Sequence, residues 1–251
     1  AYCVVTFLSL APVGAIAKAM GEKEARPDSK ASGNTLVIRE LPLPNISLST
    51  GIMSRKIFAN DVVLHDGPVV WSAVAATWGR LSLSYWGSRS LNSPRNSDED
   101  DYGGWWADTI SGTKIDYQVG GYYIDIQPLG TEKGGNIVYA FGQASTLIRG
   151  GLTTTLRVEA FALTKAAPDT FGYTATLGVS KTFELTPRIS FTHASNITSA
   201  EGPFGRSPVV LYRGEASLAL KLWEKMSATI SLRAFLPVRT DHDHRPSFVA
   251  G

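Results

Sequence analysis

The chain has 251 residues, and its 24 basic and 22 acidic side chains leave a net charge of +2. The basic residues form no block, so the chain lacks the charge pattern of a nucleic-acid-binding protein. Beyond residues 1–17, no apolar run is long enough for a transmembrane helix. The single cysteine, Cys3, excludes a disulfide framework and a cysteine-based zinc site. A soluble all-β protein and a transmembrane β-barrel are both compatible with this composition.

The N-terminal segment has the features of an export signal. Residues 1–17 are apolar and end in Ala15-Ile16-Ala17, which fits the small-x-small pattern of a cleavage site. We therefore predict a partial signal peptide over residues 1–17, with a buried strand or helix as the alternative. Residues 18–44 are predicted to be a disordered leader, because their charged residues, proline and serine show little apolar periodicity. Export to a bacterial cell envelope follows from this prediction.

From residue 45 onward the sequence alternates between apolar residues and small or polar ones. The alternation is strongest over residues 171–185 and recurs over 155–162, 212–222 and 227–234. A period of two residues predicts β-strands with one apolar face. A soluble sandwich would pack the apolar faces against each other, whereas a membrane barrel would expose them to lipid. In the barrel, four residues are expected at the middle of the exterior: Leu177, Val179, Ile230 and Leu232.

The number of strands and the alternation of their connections favour the barrel. Many predicted strands have about ten residues, whereas strands of globular proteins usually have five or six. Short turns at one rim and long loops at the other are typical of an even-numbered outer-membrane barrel. We therefore predict a twelve-stranded antiparallel transmembrane β-barrel over residues 45–251, with its last strand truncated. The predicted strands are 45–54, 68–77, 80–87, 100–110, 114–126, 136–146, 152–163, 171–184, 187–195, 210–222, 227–237 and 246 onward.

The connections between these strands define the two predicted rims. One rim has the short turns 78–79, 111–113, 148–151, 185–187 and 223–225. The other rim has the long loops 55–67, 88–99, 127–135, 164–170, 196–209 and 238–245.

Several short motifs follow one another in the first half of the predicted barrel. Arg55 closes the first strand, Asp66-Gly67-Pro68 opens the second and Trp86-Gly87 ends the third. The acidic and tyrosine stretch 98–102 comes next, followed by Tyr122-Tyr123-Ile124 and Pro128. Over most of residues 45–251, this order resembles a proteobacterial family of exported proteins of uncharacterised function, often labelled Gcw-chp. The resemblance implies an outer-membrane-type barrel and no established activity.

The polar faces of the strands have charges of both signs, which the barrel prediction places in the lumen. Similar numbers of acids and bases favour mutual neutralisation, because isolated charges in a narrow lumen would be costly. The leading prediction is a small-solute channel or transporter of the bacterial outer membrane, and the alternative is a structural barrel closed by salt bridges. The predicted lumen residues are Asp116, Arg157, Glu159, Arg213, Glu215, Lys221 and Arg233, with Glu184 near the short turns.

A second candidate function depends on the short motif that contains His193, Ser195 and Asn196. It resembles part of the active-site strand of outer-membrane phospholipase A and of the lipid A deacylases. On an extended strand His193 and Ser195 share one face, so the imidazole could accept the proton of a serine nucleophile. A third group must orient the imidazole, and the candidates are Asp169 and Glu201. The motif predicts a lipid-ester hydrolase, and the alternative is a histidine and a serine that only contact lipid headgroups.

A third candidate function is that of an adhesin or structural barrel that acts through its charged loops 88–99 and 238–245. Asp241-His242-Asp243-His244 offers ligand types that suit divalent ions. Alternate residues in a flexible loop make a poor cage, so a solvated loop without metal is the prediction. We expect no cofactor, and the expected partners are membrane lipid and small solutes.

Overall fold

Antiparallel β-strands make up most of the chain in a computed structural model. The structure describes residues 7–10, 43–58, 62–91, 98–127, 136–164, 171–201, 209–239 and 247–250. In these ranges no helix is long and apolar enough to cross a membrane. The strands are β1 (Phe7–Leu10), β2 (Asn45–Met53), β3 (Lys56–Phe58), β4 (Val62–His65), β5 (Val69–Trp78), β6 (Leu81–Ser90), β7 (Asp98–Thr109), β8 (Ile115–Gln127), β9 (Ile137–Ile148), β10 (Leu152–Leu163), β11 (Phe171–Thr186), β12 (Ile189–Glu201), β13 (Val209–Trp223), β14 (Met226–Arg239) and β15 (Ser247–Ala250).

Thirteen of these strands form one antiparallel sheet. Its eleven long strands, β2 and β5 to β14, pair in sequence order, each with the next. Strand β1 pairs with β14 through residues 7–9 and with β2 through residues 8–10. Strand β15 also pairs with β14, at residues 232–235. Strands β3 and β4 form a separate two-stranded hairpin in the connection between β2 and β5.

Five short turns lie at one end of the sheet, at residues 79–80, 110–114, 149–151, 187–188 and 224–225. In the third of them, Gly150 and Gly151 have φ angles of 84° and 75°, where other residues would be strained. Because consecutive strands are antiparallel, the longer connections all leave from the opposite end. The structure therefore has the alternation of short and long connections that the sequence predicts.

The two faces of the sheet differ in character. The apolar face is the one with Leu177 and Leu232, whose side chains are 56% and 55% exposed. Val179 and Ile230 are exposed on the same face. None of the four is packed between two sheets, so the two-layer sandwich is excluded. The opposite face, here the polar face, includes one buried apolar cluster near the long connections, formed by Ile124, Ile126, Ile137 and Phe161.

Two predicted loops are wrong in part. The predicted loop 55–67 contains the β3–β4 hairpin, whose paired residues Ile57, Phe58, Val62 and Val63 are of types that favour strands. The predicted loop 196–209 begins six residues too early, because β12 continues to Glu201. The alternation persists there, since Ile197 is exposed on the apolar face and the Thr198 and Thr176 hydroxyl groups are 2.8 Å apart across the strands.

Some predictions concern residues that the structure does not describe. These include Asp169, the metal-ligand candidates 241–244 and most of the predicted leader 18–44. Residues 7–10 form β1, and the predicted signal peptide over residues 1–17 stays a prediction.

Candidate functional site

A cavity of about 380 Å³ lies on the polar face. Six strands, β2 and β5 to β9, contribute to its walls. Because residues of β2 and β9 line the same space, the sheet curves around its polar face. Among the described residues that line the cavity, Asp101 alone is charged. The side chains on the polar face that line it are Ser47, Ser49, Ala73, Ala75, Ser84, Trp86, Asp101, Trp105, Tyr122 and Tyr139.

Aromatic rings stack along one wall of this cavity. The ring centroids of Trp105 and Tyr122 are 6.3 Å apart, and those of Tyr122 and Tyr139 are 5.0 Å apart. The Tyr139 ring also contacts Phe161 of the buried apolar cluster, at 5.4 Å. Cross-strand aromatic pairs of this kind stabilise a sheet. The wall is therefore continuous with the buried apolar cluster.

Gly103 provides the space for the Tyr122 ring, because an added Cβ would overlap that ring. We expect Gly103→Ala to lower the free energy of unfolding by about 1–3 kcal/mol. Gly142→Ala is the matched control, since a Cβ there meets nothing within 4 Å, and should change stability by less than about 0.5 kcal/mol. Urea unfolding of the two variants in lipid vesicles checks this prediction. An equal loss of unfolding free energy in the two variants would contradict the packing of Tyr122 over Gly103.

A buried lysine, Lys56, attaches the β3–β4 hairpin to the polar face beside the cavity. Its Nζ atom lies 2.6 Å from Glu99 Oε2 and donates a hydrogen bond to Ser88 Oγ at 2.8 Å. The same atom lies 5.3 Å from the centroid of the Trp86 ring. Burial lowers the pKa of Lys56, and the Glu99 carboxylate opposes that shift. We call Lys56, Ser88 and Glu99 the Lys56 latch.

Asp101 follows Glu99 on the same face of β7, so the two acidic side chains are neighbours. No N–H or O–H group of the described residues reaches the buried Oδ1 atom of Asp101. No described basic residue forms an ion pair with Asp101. The cavity therefore contains an acidic group that forms no ion pair with the described basic residues.

The seven predicted lumen residues all lie on the polar face, and four of them form two ion pairs. Arg157 Nε is 2.6 Å from Glu159 Oε1, and Arg157 Nη1 donates to Gln143 Oε1 at 3.2 Å. Arg233 Nε donates to Glu215 Oε2 at 2.9 Å. The opposite charges are therefore neutralised in pairs along β10, β13 and β14.

The other three predicted lumen residues have different surroundings. Arg213 interacts electrostatically with Arg233, Glu215 and Glu159 but forms no ion pair with a described residue. Asp116 and Lys221 are exposed towards the short turns, as is Glu184. Arg213 is thus a predicted lumen residue near the two ion pairs that is not itself part of an ion pair with a described acid.

His193 and Ser195 lie on the apolar face of β12. His193 Nε2 and Ser195 Oγ are 3.1 Å apart, and the Tyr212 hydroxyl is also 3.1 Å from Ser195 Oγ. Within the described residues no carboxyl or amide group hydrogen-bonds to this imidazole, and Glu201 accepts a hydrogen bond from Tyr173 instead. The structure brings together two of the three groups that a serine hydrolase uses. Hydrolysis at this pair stays a prediction.

Neither the cavity nor the Lys56 latch is among the sequence predictions. Lys56 and Glu99 fall in the predicted loops 55–67 and 88–99, outside the predicted strands. The feature of the sequence that could have predicted the site is the spacing of Glu99, Asp101 and Trp105, which places them on one face of β7. In the described ranges, no group of three or more His, Cys, Asp or Glu could hold a metal ion.

Comparisons with known proteins give only distant similarities. No family model and no curated protein matches the sequence. Among solved structures, the outer-membrane porin OccK10 (OpdN) of Pseudomonas aeruginosa is 13% identical with a TM-score of 0.38, over 82% of this chain and 67% of that protein. The porin OccAB3 of Acinetobacter baumannii is 8% identical with a TM-score of 0.40, over 83% of this chain and 63% of that protein. The relation to the Gcw-chp family stays a prediction.

Proposed function

We propose that the protein is a twelve-stranded β-barrel of the bacterial outer membrane through which small solutes pass. The observation that carries this proposal is the division of one sheet into an exposed apolar face and a polar face with ion pairs and a cavity. Large apolar side chains exposed along consecutive strands are unfavourable in water, and lipid would cover them. Membrane lipid is therefore the first partner of the proposal.

The pairings at the two edges of the sheet support closure. Strand β1 pairs with β2 on one side and with β14 on the other. On the same edge of β14, β1 pairs with residues 227–229 and β15 pairs with residues 232–235. The two short strands share one strand position, which together with the eleven long strands makes twelve. Because β1 lies within the predicted signal peptide, β15 alone would hold this position in the exported protein of the proposal. Closure also leaves no unpaired strand edge in lipid, where exposed backbone groups would be costly.

The polar face supports a passage for small solutes. In each of its two ion pairs, Arg157 with Glu159 and Arg233 with Glu215, the positive and the negative charge cancel. No ring of one sign is found among the described residues of this face, so strong selection by charge is not expected. The cavity offers a solute both hydroxyl groups and aromatic surface.

Planar lipid bilayers test the channel directly. We expect the purified full chain to insert and produce stepwise conductance increments. Lys56→Met should raise the conductance, because it releases the β3–β4 hairpin from the polar face. No conductance in either protein, after both have been shown to fold in vesicles, would contradict the channel and favour the closed structural barrel.

Neutralising Arg213 should change the ion selectivity of the channel. A fixed charge beside a narrow path sets the local potential, and Arg213 is not paired with a described acid. We expect Arg213→Gln to shift the reversal potential in a salt gradient towards cation permeation. Arg188→Gln, in the short turn between β11 and β12, is the control and should leave it unchanged. Equal reversal potentials in wild type and Arg213→Gln would place this residue away from the ion path.

The contact between His193 and Ser195 favours a second candidate function, lipid-ester hydrolysis at the apolar face. The expected result is release of fatty acid from phospholipid micelles, abolished by Ser195→Ala and retained in Ser199→Ala on the same strand face. If the wild-type protein releases no fatty acid, or if Ser195→Ala releases as much, this second function is wrong.

A further inference from the structure

We propose that the cavity on the polar face binds an organic ammonium cation. This inference rests on the proposed channel, because the solute must reach the cavity through the interior. It goes further by naming the chemical class of a solute that binds there and the residue that recognises its charge, Asp101.

The charges around the cavity favour a cation. Glu99 and Asp101 are neighbours on one face of β7, and two carboxyl groups so placed both stay ionised only where positive charge compensates them. The ammonium group of Lys56 forms its ion pair with Glu99, at 2.6 Å, and no ion pair joins Asp101 to a described basic residue. A cationic ligand beside Asp101 would supply the second positive charge. An anion would find no basic side chain among the described residues that line the cavity.

The aromatic lining favours an organic cation over a metal ion. Trp86, Trp105, Tyr122 and Tyr139 all contribute to the walls. Aromatic rings attract ammonium groups through their negative faces, and tryptophan does so best. The protein already uses this interaction, because Lys56 Nζ lies 5.3 Å from the Trp86 centroid. The cavity thus combines ring surface for an apolar substituent with a carboxylate for the charge.

The volume of the cavity limits the size of the ligand. A volume of about 380 Å³ is near the lower end of the range for small-molecule sites. The hydroxyl groups of Ser47, Ser49 and Ser84 line the same space and can accept hydrogen bonds from a ligand. A small amine or a quaternary ammonium alcohol fits this combination of volume and polarity.

Calorimetric titration of the purified full chain in detergent micelles tests the proposal with two matched probes. Choline has a quaternary ammonium group, and 3,3-dimethylbutan-1-ol has the same shape without the charge. We expect choline to bind at least about tenfold more tightly than the alcohol. The aromatic rings and the carboxylate attract a desolvated cation, and the uncharged alcohol lacks this attraction. Asp101→Asn should abolish this preference. Asp108→Asn, on the same strand but the opposite face, should retain it.

Each outcome of the titration supports or overturns the proposal. Equal affinities for the two probes in wild type, or an unchanged preference in folded Asp101→Asn, would overturn it. If Asp101→Asn does not fold, the comparison of the two probes in wild type decides alone. Binding of glucose without binding of choline would also overturn it, in favour of recognition through hydroxyl groups.

Conductance measurements on the same preparation separate this proposal from the channel. A wild-type protein that prefers choline to its isostere but conducts no ions would contradict the channel and leave the cation site supported. A conducting barrel without a choline preference would support the channel and overturn the cation site.

Discussion

Lys56→Met should lower the free energy of unfolding by about 3–5 kcal/mol, because it leaves Glu99 as a buried charge without its partner. The Lys56 and Glu99 side chains are both 5% exposed, and their charged atoms are 2.6 Å apart. The loss should appear in urea titrations of the protein folded in lipid vesicles. It should be accompanied by loss of the hydrogen bond to Ser88, which is fully buried.

Two further variants isolate the effect of burial. The double variant Lys56→Met with Glu99→Gln removes both charges and should recover most of the loss, because no uncompensated charge remains. Arg55→Met breaks the neighbouring ion pair with Asp66, whose side chain is 72% exposed, and should cost less than about 1 kcal/mol. Equal losses in Arg55→Met and Lys56→Met would show that the latch is not buried.

Leu232→Arg should weaken assembly in the membrane by about 2–4 kcal/mol, the cost of an arginine at mid-depth on a lipid-facing strand. Leu232 is 55% exposed on the apolar face of β14. Ser231→Arg is the matched control, because the adjacent residue lies on the polar face and pairs with Ser217. The folded fraction in vesicles at increasing urea concentration measures both effects. A larger loss in Ser231→Arg than in Leu232→Arg would reverse the assignment of the two faces.

Sequence alternation predicts the long strands well, because the period of two residues is set by the strand itself. Strand β11 is predicted at 171–184 and observed at Phe171–Thr186, and the exposure of Leu177 and Val179 follows directly from their positions. The end of β12 was missed for a physical reason. Asn196, Thr198 and Ser199 are polar, and polar residues are compatible both with a loop and with a strand.

The candidate site was harder to predict because its contacts join distant parts of the chain. The ion pairs between Arg157 and Glu159 and between Arg233 and Glu215 involve residues that the alternation already assigns to one face. The Lys56 latch requires a hairpin inside a connection to meet the polar face of β6 and β7. Neither the two-residue period nor the composition of the sequence predicts that contact. The cavity depends in addition on the curvature that brings β2 opposite β9.

The orientation of the two faces is the central claim, and a spin-label scan along β11 tests it most directly. Single cysteines at residues 174–183, in a Cys3→Ser background, would carry the label in proteoliposomes. We predict that labels at odd positions such as 177 and 179 are relaxed by oxygen dissolved in the lipid. Labels at even positions such as 176 and 180 should be relaxed by a water-soluble nickel complex. The same relaxation behaviour at odd and even positions, or the inverse pattern, would contradict a barrel with its apolar face in lipid and its polar face around a lumen.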